Sequence, residues 1–121
     1  MSLVARHLEA NGLPTVIIGS ARDVVEHCGV ARFLFTDFPL GNPCGHPWRS
    51  AMQREIATMA LALLASATAP RTTQVAPFAW KEDPGWRARY GRVDAAERDR
   101  LLAIGAERRR RQGEAQRLKG G

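Results

Sequence analysis

The stretch richest in reactive groups is Asp37-Phe38-Pro39-Leu40-Gly41-Asn42-Pro43-Cys44-Gly45-His46-Pro47, which sets a thiol and an imidazole two positions apart. A thiolate beside an imidazole is a nucleophile of depressed pKa, so Cys44 and His46 are candidates for covalent chemistry. The plainer reading, a small apolar cysteine and a solvent-facing or capping histidine, outweighs it, because residues i and i+2 of a proline-rich loop need not face each other. Arg49 follows within one helical turn and adds charge for an anion. Ser20 has two readings: a cap for the helix that follows it, or a hydroxyl that meets an anion together with that helix N-terminus. No metal site is expected, since one Cys and one His leave two ligands unfilled, and His7 and His27 fall in different helices. Cys28, at a helix end before Gly29, reads as a packed thiol. With no GxGxxG, P-loop, GxSxG or HExxH motif, no cofactor is expected.

Those residues need elements to hold them. Leu3, Val4 and Leu8 share one face of a first helix over residues 3–10, with Ser2 as its cap and Gly12 after it. Thr15-Val16-Ile17-Ile18 lacks polar alternation and reads as a central parallel strand covered on both faces. Gly19-Ser20 turns the chain into a helix over residues 21–28, and Arg32-Phe33-Leu34-Phe35-Thr36 forms a second strand, a βαβ unit that is right-handed by default. Three prolines and two glycines in residues 37–47 exclude regular structure there. From Pro47, apolar residues recur at helical spacing through Ser66, and residues 57–65 are apolar on every side. Open parallel sheets bind ligands beyond the carboxyl ends of their strands, which selects Ser20 and the 37–47 loop.

The chain has 121 residues, 45% of them hydrophobic, enough for one domain. Its net charge of +6 is unevenly spread: residues 80–121 hold 12 Lys/Arg against 7 Asp/Glu, whereas residues 1–79 hold 6 against 5. Trp86-Arg87-Ala88-Arg89-Tyr90 interleaves aromatic and basic groups as single-strand binders do, and the Arg108–Arg111 run offers contacts to phosphates. Nucleic acid is nonetheless disfavoured, because Asp94, Glu97, Asp99 and Glu107 make the tail a mixed-charge, solvated helix, opened by an Asp94/Glu97 capping box. The longest largely apolar run, residues 56–65, is half the roughly 20 residues that span a bilayer, so no membrane association is expected. The N-terminus shows no targeting signal and the two cysteines no framework, which points to the cytoplasm.

The expected fold class is thus α/β: a partial parallel βαβ sheet covered by helices over residues 1–66, a linker at 67–77, then an aromatic docking segment and a basic helical tail over 78–121. Two strands are too few to bury this much apolar surface. A partner chain or further sequence is therefore inferred, with the alternative that residues 78–90, rich in Phe78, Trp80, Trp86 and Tyr90, fold back as the cover.

Residues 4–16, Val-Ala-Arg-His-Leu-Glu-Ala-Asn-Gly-Leu-Pro-Thr-Val, resemble the helix, glycine and Pro-Thr strand entry of the selenoprotein B family of glycine, sarcosine, betaine and D-proline reductases. Gly29-Val30-Ala31-Arg32 resembles the family's entry to the next strand, and Pro39-Leu40-Gly41-Asn42-Pro43 its Pro-Leu-Gly-Asn-Pro loop; the resemblance covers residues 3–66. It implies an oxidoreductase component that cleaves a C–N or similar bond of a small amino-acid derivative, with Gly41, Asn42 and Pro43 contributing to the substrate pocket. The family's redox Cys or selenocysteine lies before the first helix, so neither Cys28 nor Cys44 inherits that role. The expected substrate-binding set is Ser20, Gly41, Asn42, Pro43, Cys44, His46 and Arg49. The expected partner is a second copy or another reductase subunit, and the chain is not expected to be catalytic alone. The different-class alternative is a non-catalytic interaction or regulatory protein on the same scaffold.

Overall fold

The computed structural model describes residues 1–81, 83–90, 92 and 94–119, and the chain divides into two units, Met1–Arg87 and Ala88–Gly121. In the first unit the order is α1 (Ser2–Ala10), β1 (Ile17–Gly19), α2 (Arg22–Cys28), β2 (Arg32–Phe35), α3 (Ser50–Ser66) and β3 (Thr72–Val75). A one-turn helix α4 (Trp86–Arg89) follows, and α5 (Ala95–Lys119) makes up most of the second unit. The strands form a parallel sheet in the order β1-β2-β3, with Ile17 opposite Phe33 and Phe33 opposite Thr73. The fold is α/β.

Strand pleating sends neighbouring side chains to opposite faces, and each face carries its own core. Leu34, with Val16 and Ile18 beside it, packs on Ile56, Ala60 and Leu63 of α3. Phe33, with Ile17 and Phe35, packs on Ala5 of α1 and Val25 of α2. Helices α2 and α3 therefore cover opposite faces although the strands run in sequential order. The two crossovers must then differ in hand, so one of them departs from the right-handed rule.

A polar clamp closes the entry side of the sheet. Glu9, at the end of α1, accepts hydrogen bonds from the backbone N–H of Thr15, from Thr15 Oγ1 at 2.9 Å and from Arg32 Nη1 at 2.8 Å. Arg32 Nη1 also lies 3.3 Å from the Thr15 carbonyl oxygen. One carboxylate thus ties a helix to the starts of two strands. The hydrogen bond from the Thr15 N–H holds the Glu9 carboxyl below its ordinary value, with the Thr15 hydroxyl and the Arg32 charge adding to it.

Several sequence expectations are corrected. The sheet has three strands, and the third, Thr72–Val75, lies inside the stretch read as a linker. Its polar composition suits an edge strand whose Gln74 and Val75 are exposed. β2 occupies the centre and β1 an edge, the reverse of the central place expected for Val16–Ile18. α3 begins at Ser50 rather than Pro47, because Pro47 belongs to a turn that ends at Arg49. Neither Ser2 nor Ser20 caps its helix: the N-cap positions are Met1 and Ala21, without side-chain hydrogen bonds. The folding back of the aromatic segment is realised in part, since Phe78 and Trp80 pack on the α3-side core.

Asp94 caps α5, accepting the Glu97 backbone N–H at 2.8 Å. Glu107 accepts from Arg110 at 3.0 Å and Arg111 at 2.9 Å, bonds that hold its carboxyl below the usual value. No described helix is long and apolar enough to cross a membrane.

Candidate functional site

Because all three strands are parallel, their carboxyl ends share one side of the sheet, and Ser20, residues 36–49 and residues 76–81 leave from it. The long loop is a chain of three turns. Asn42 N–H donates to the Pro39 carbonyl and Gly45 N–H to the Asn42 carbonyl, both at 3.1 Å, and Arg49 N–H donates to the His46 carbonyl at 3.3 Å. Gly41, with φ 94°, fills the third place of the first turn, which an L side chain rarely adopts. In the second, Asn42-Pro43-Cys44-Gly45, each residue type suits its place: Asn first, Pro second, Gly last. The third turn puts Trp48 at φ 63° with its side chain 98% exposed, a strained position for so bulky a residue.

What fixes the loop is the residue that directly follows β2. Thr36 is fully buried, and its Oγ1 donates to the Pro43 carbonyl at 2.7 Å while its backbone N–H donates to the Gly19 carbonyl at 2.9 Å. The start of the loop is thereby tied both to its own apex and to the end of β1. Gly45 is the second anchor: at φ 98°, a Cβ built there would lie 2.7 Å from Met52 Sδ and 3.0 Å from its Cγ. Glycine holds this backbone conformation without strain, and a Cβ would make the flexible Met52 side chain of α3 shift.

His46 is buried, and its ring stacks on Trp80 with centroids 3.5 Å apart at 23°. Trp80 in turn meets the buried Phe38 at 5.4 Å. Gln53 of α3 donates to the His46 carbonyl at 2.8 Å. Next to this stack lies a cleft of about 530 Å³, lined by His46, Arg49 and Met52 on one wall and by Pro77, Phe78 and Lys81 on the other. The volume suits a small organic molecule. Two cationic side chains, Arg49 and Lys81, line it at the start of α3, where no side-chain cap or first-turn acid occurs. Asp37, at the start of the long loop, forms an ion pair with Arg87 of α4, and the Arg87 guanidinium lies 5.0 Å from the Trp86 ring centroid.

Of the seven expected site residues, the cleft takes in His46 and Arg49. Gly41, Asn42, Pro43 and Cys44 shape the turns that bring those two to it, and Ser20 stands at the end of β1, outside the lining. Cys44 is exposed while the His46 ring lies against Trp80, so the two do not form a nucleophilic dyad. Thr36, Gln53, Phe78, Trp80 and Lys81 lie outside the set expected from the sequence. The aromatic density of residues 78–90 was the signal for Phe78 and Trp80, and the hydroxyl at the β2 end was the signal for Thr36. Among the described residues no cluster of three or more His, Cys, Asp or Glu side chains could hold a metal ion.

Compared with family models, curated proteins and solved structures, the chain matches none.

Proposed function

We propose that this chain is a subunit or fragment of a cytoplasmic glycine/betaine/sarcosine/D-proline reductase-like oxidoreductase, to which it contributes part of the substrate pocket. The observation that carries the reading is the Pro39-Leu40-Gly41-Asn42-Pro43 loop: the stretch that resembles the selenoprotein B family leaves the carboxyl end of the central strand and leads to His46 and Arg49 at the cleft. Ligands of parallel sheets collect at this side. Arg49 and Lys81 suit the carboxylate of a small amino-acid derivative, and Met52 and Phe78 suit its carbon skeleton. Gly41, Asn42 and Pro43 serve by shaping the loop. The electron pair for the cleavage of a C–N or similar bond comes from a dithiol, oxidised to its disulfide, by way of a partner polypeptide. Neither Cys28 nor Cys44 carries that step.

A second reading, a non-catalytic interaction or regulatory protein, is favoured by the apolar surface left open on the first unit: Leu3 is 71% and Leu61 64% exposed. Reconstitution separates them. The chain, combined with the polypeptide that copurifies with it, is supplied with dithiol and glycine, betaine, sarcosine or proline. Dithiol-dependent consumption of one of these, reduced at least tenfold by Arg49→Ala, is the expected result. Tight association without turnover would discard the reductase reading in favour of the binder.

A further inference from the structure

Helix α5 runs for 25 residues with Leu101, Leu102 and Ile104 each 48–60% exposed, and a solvated helix in water gains little from its own hydrogen bonds. Residues spaced alternately three and four apart lie on one stripe of a helix. On α5 one such stripe reads Asp94, Glu97, Leu101, Ile104, Arg108, Arg111, Ala115: acidic at one end, apolar in the middle, basic beyond it. This order is self-complementary when reversed. We propose that α5 pairs with α5 of a second copy of this chain, antiparallel, about a twofold axis between Leu102 and Ala103.

In that register Leu101 meets Ile104 of the other copy, Glu97 meets Arg108 and Asp94 meets Arg111. Each contact occurs twice by symmetry. Beside the seam, Arg100 comes within reach of Glu107 of the other copy. The parallel alternative would set Arg108 on Arg108 and Arg111 on Arg111, so like-charge repulsion selects the antiparallel form. Asp94 keeps one carboxylate oxygen beyond the Oδ1 that caps the helix, and Arg111 keeps its terminal nitrogens beyond the Nε that meets Glu107. The local contacts therefore leave donors and acceptors for the pair. Four apolar side chains form a small seam, so charge decides both orientation and affinity.

Sedimentation equilibrium of the full chain tests this across about two decades of concentration at low and high salt, with helicity of every variant followed by circular dichroism. The expected result is a monomer–dimer equilibrium that weakens with salt. Glu97→Arg or Arg108→Glu alone, each turning two attractions into repulsions, weakens it roughly tenfold or more, and the two together restore it. Leu101→Ala with Ile104→Ala removes the apolar seam while favouring the helix, and leaves a monomer. A wild-type monomer throughout, whether α5 is then solvated or lies on its own chain, overturns the pairing. So does a dimer indifferent to Glu97 and Arg108, or a helical double charge variant that stays monomeric.

Discussion

Thr36→Val keeps the shape of the side chain and removes only its hydroxyl. In the structure that hydroxyl is fully buried and donates to the Pro43 carbonyl at 2.7 Å, whereas the Gly19 carbonyl, 3.5 Å away, already receives the Thr36 backbone N–H. The valine leaves the half-buried Pro43 carbonyl without its donor, a loss of about 1–2 kcal/mol. For a unit of this size that corresponds to a fall in Tm of roughly 5–15 °C. The assay is urea unfolding followed by near-ultraviolet circular dichroism, which reads the packed Trp80, alongside exchange rates of the Asn42 and Gly45 amides that close the two turns. Thr36→Ser is the partner variant: it restores the donor and loses one methyl group, at about 1 kcal/mol. The expected pattern is faster amide exchange in the valine variant and near-native exchange in the serine variant. Loss of less than about 0.5 kcal/mol on Thr36→Val, with unchanged exchange, would refute the assignment of Thr36 as the anchor of the loop.

Gly45→Ala forces an L side chain to an unfavourable positive φ and makes the flexible end of Met52 shift, and should destabilise by about 1–2 kcal/mol in denaturant titration. A stability within 0.5 kcal/mol of native would mean that the loop does not lie against α3 as described. Trp48→Asn relieves the strain of φ 63° at a side chain with almost no contacts, and should raise stability by roughly 0.5–1 kcal/mol in the same titration; a loss would show that the indole packs on something. The Glu9 clamp predicts a pH dependence. Because its folded pKa lies below the ordinary value of 4.5, its contribution is complete above that value and is lost as the pH falls through the lower folded pKa. Glu9→Gln should lower stability at pH 7 and flatten the acid limb of the stability–pH curve, and an unchanged acid limb would remove Glu9 from the account.

The sequence by itself determined what local chemistry dictates. The β-branched and aromatic runs at Val16–Ile18 and Arg32–Phe35, the helical periodicity of residues 50–66 and the Asp94 cap of α5 all stood as read, to within a few residues. The turn chemistry of Pro39–Gly45 excluded regular structure there, and the structure shows turns whose places match those residue types. Tertiary structure decided the rest. Thr72–Val75 is too short and too polar to signal a strand, and becomes one because the central strand offers it unpaired backbone groups. No spacing rule relates residue 36 to residue 43, or residue 46 to residue 80; the hydroxyl and the imidazole acquire their roles only when the loop and the aromatic segment meet at one edge of the sheet. Cys44 and His46, two positions apart in sequence, part company for the same reason: the turn sends one outward, and packing draws the other against Trp80.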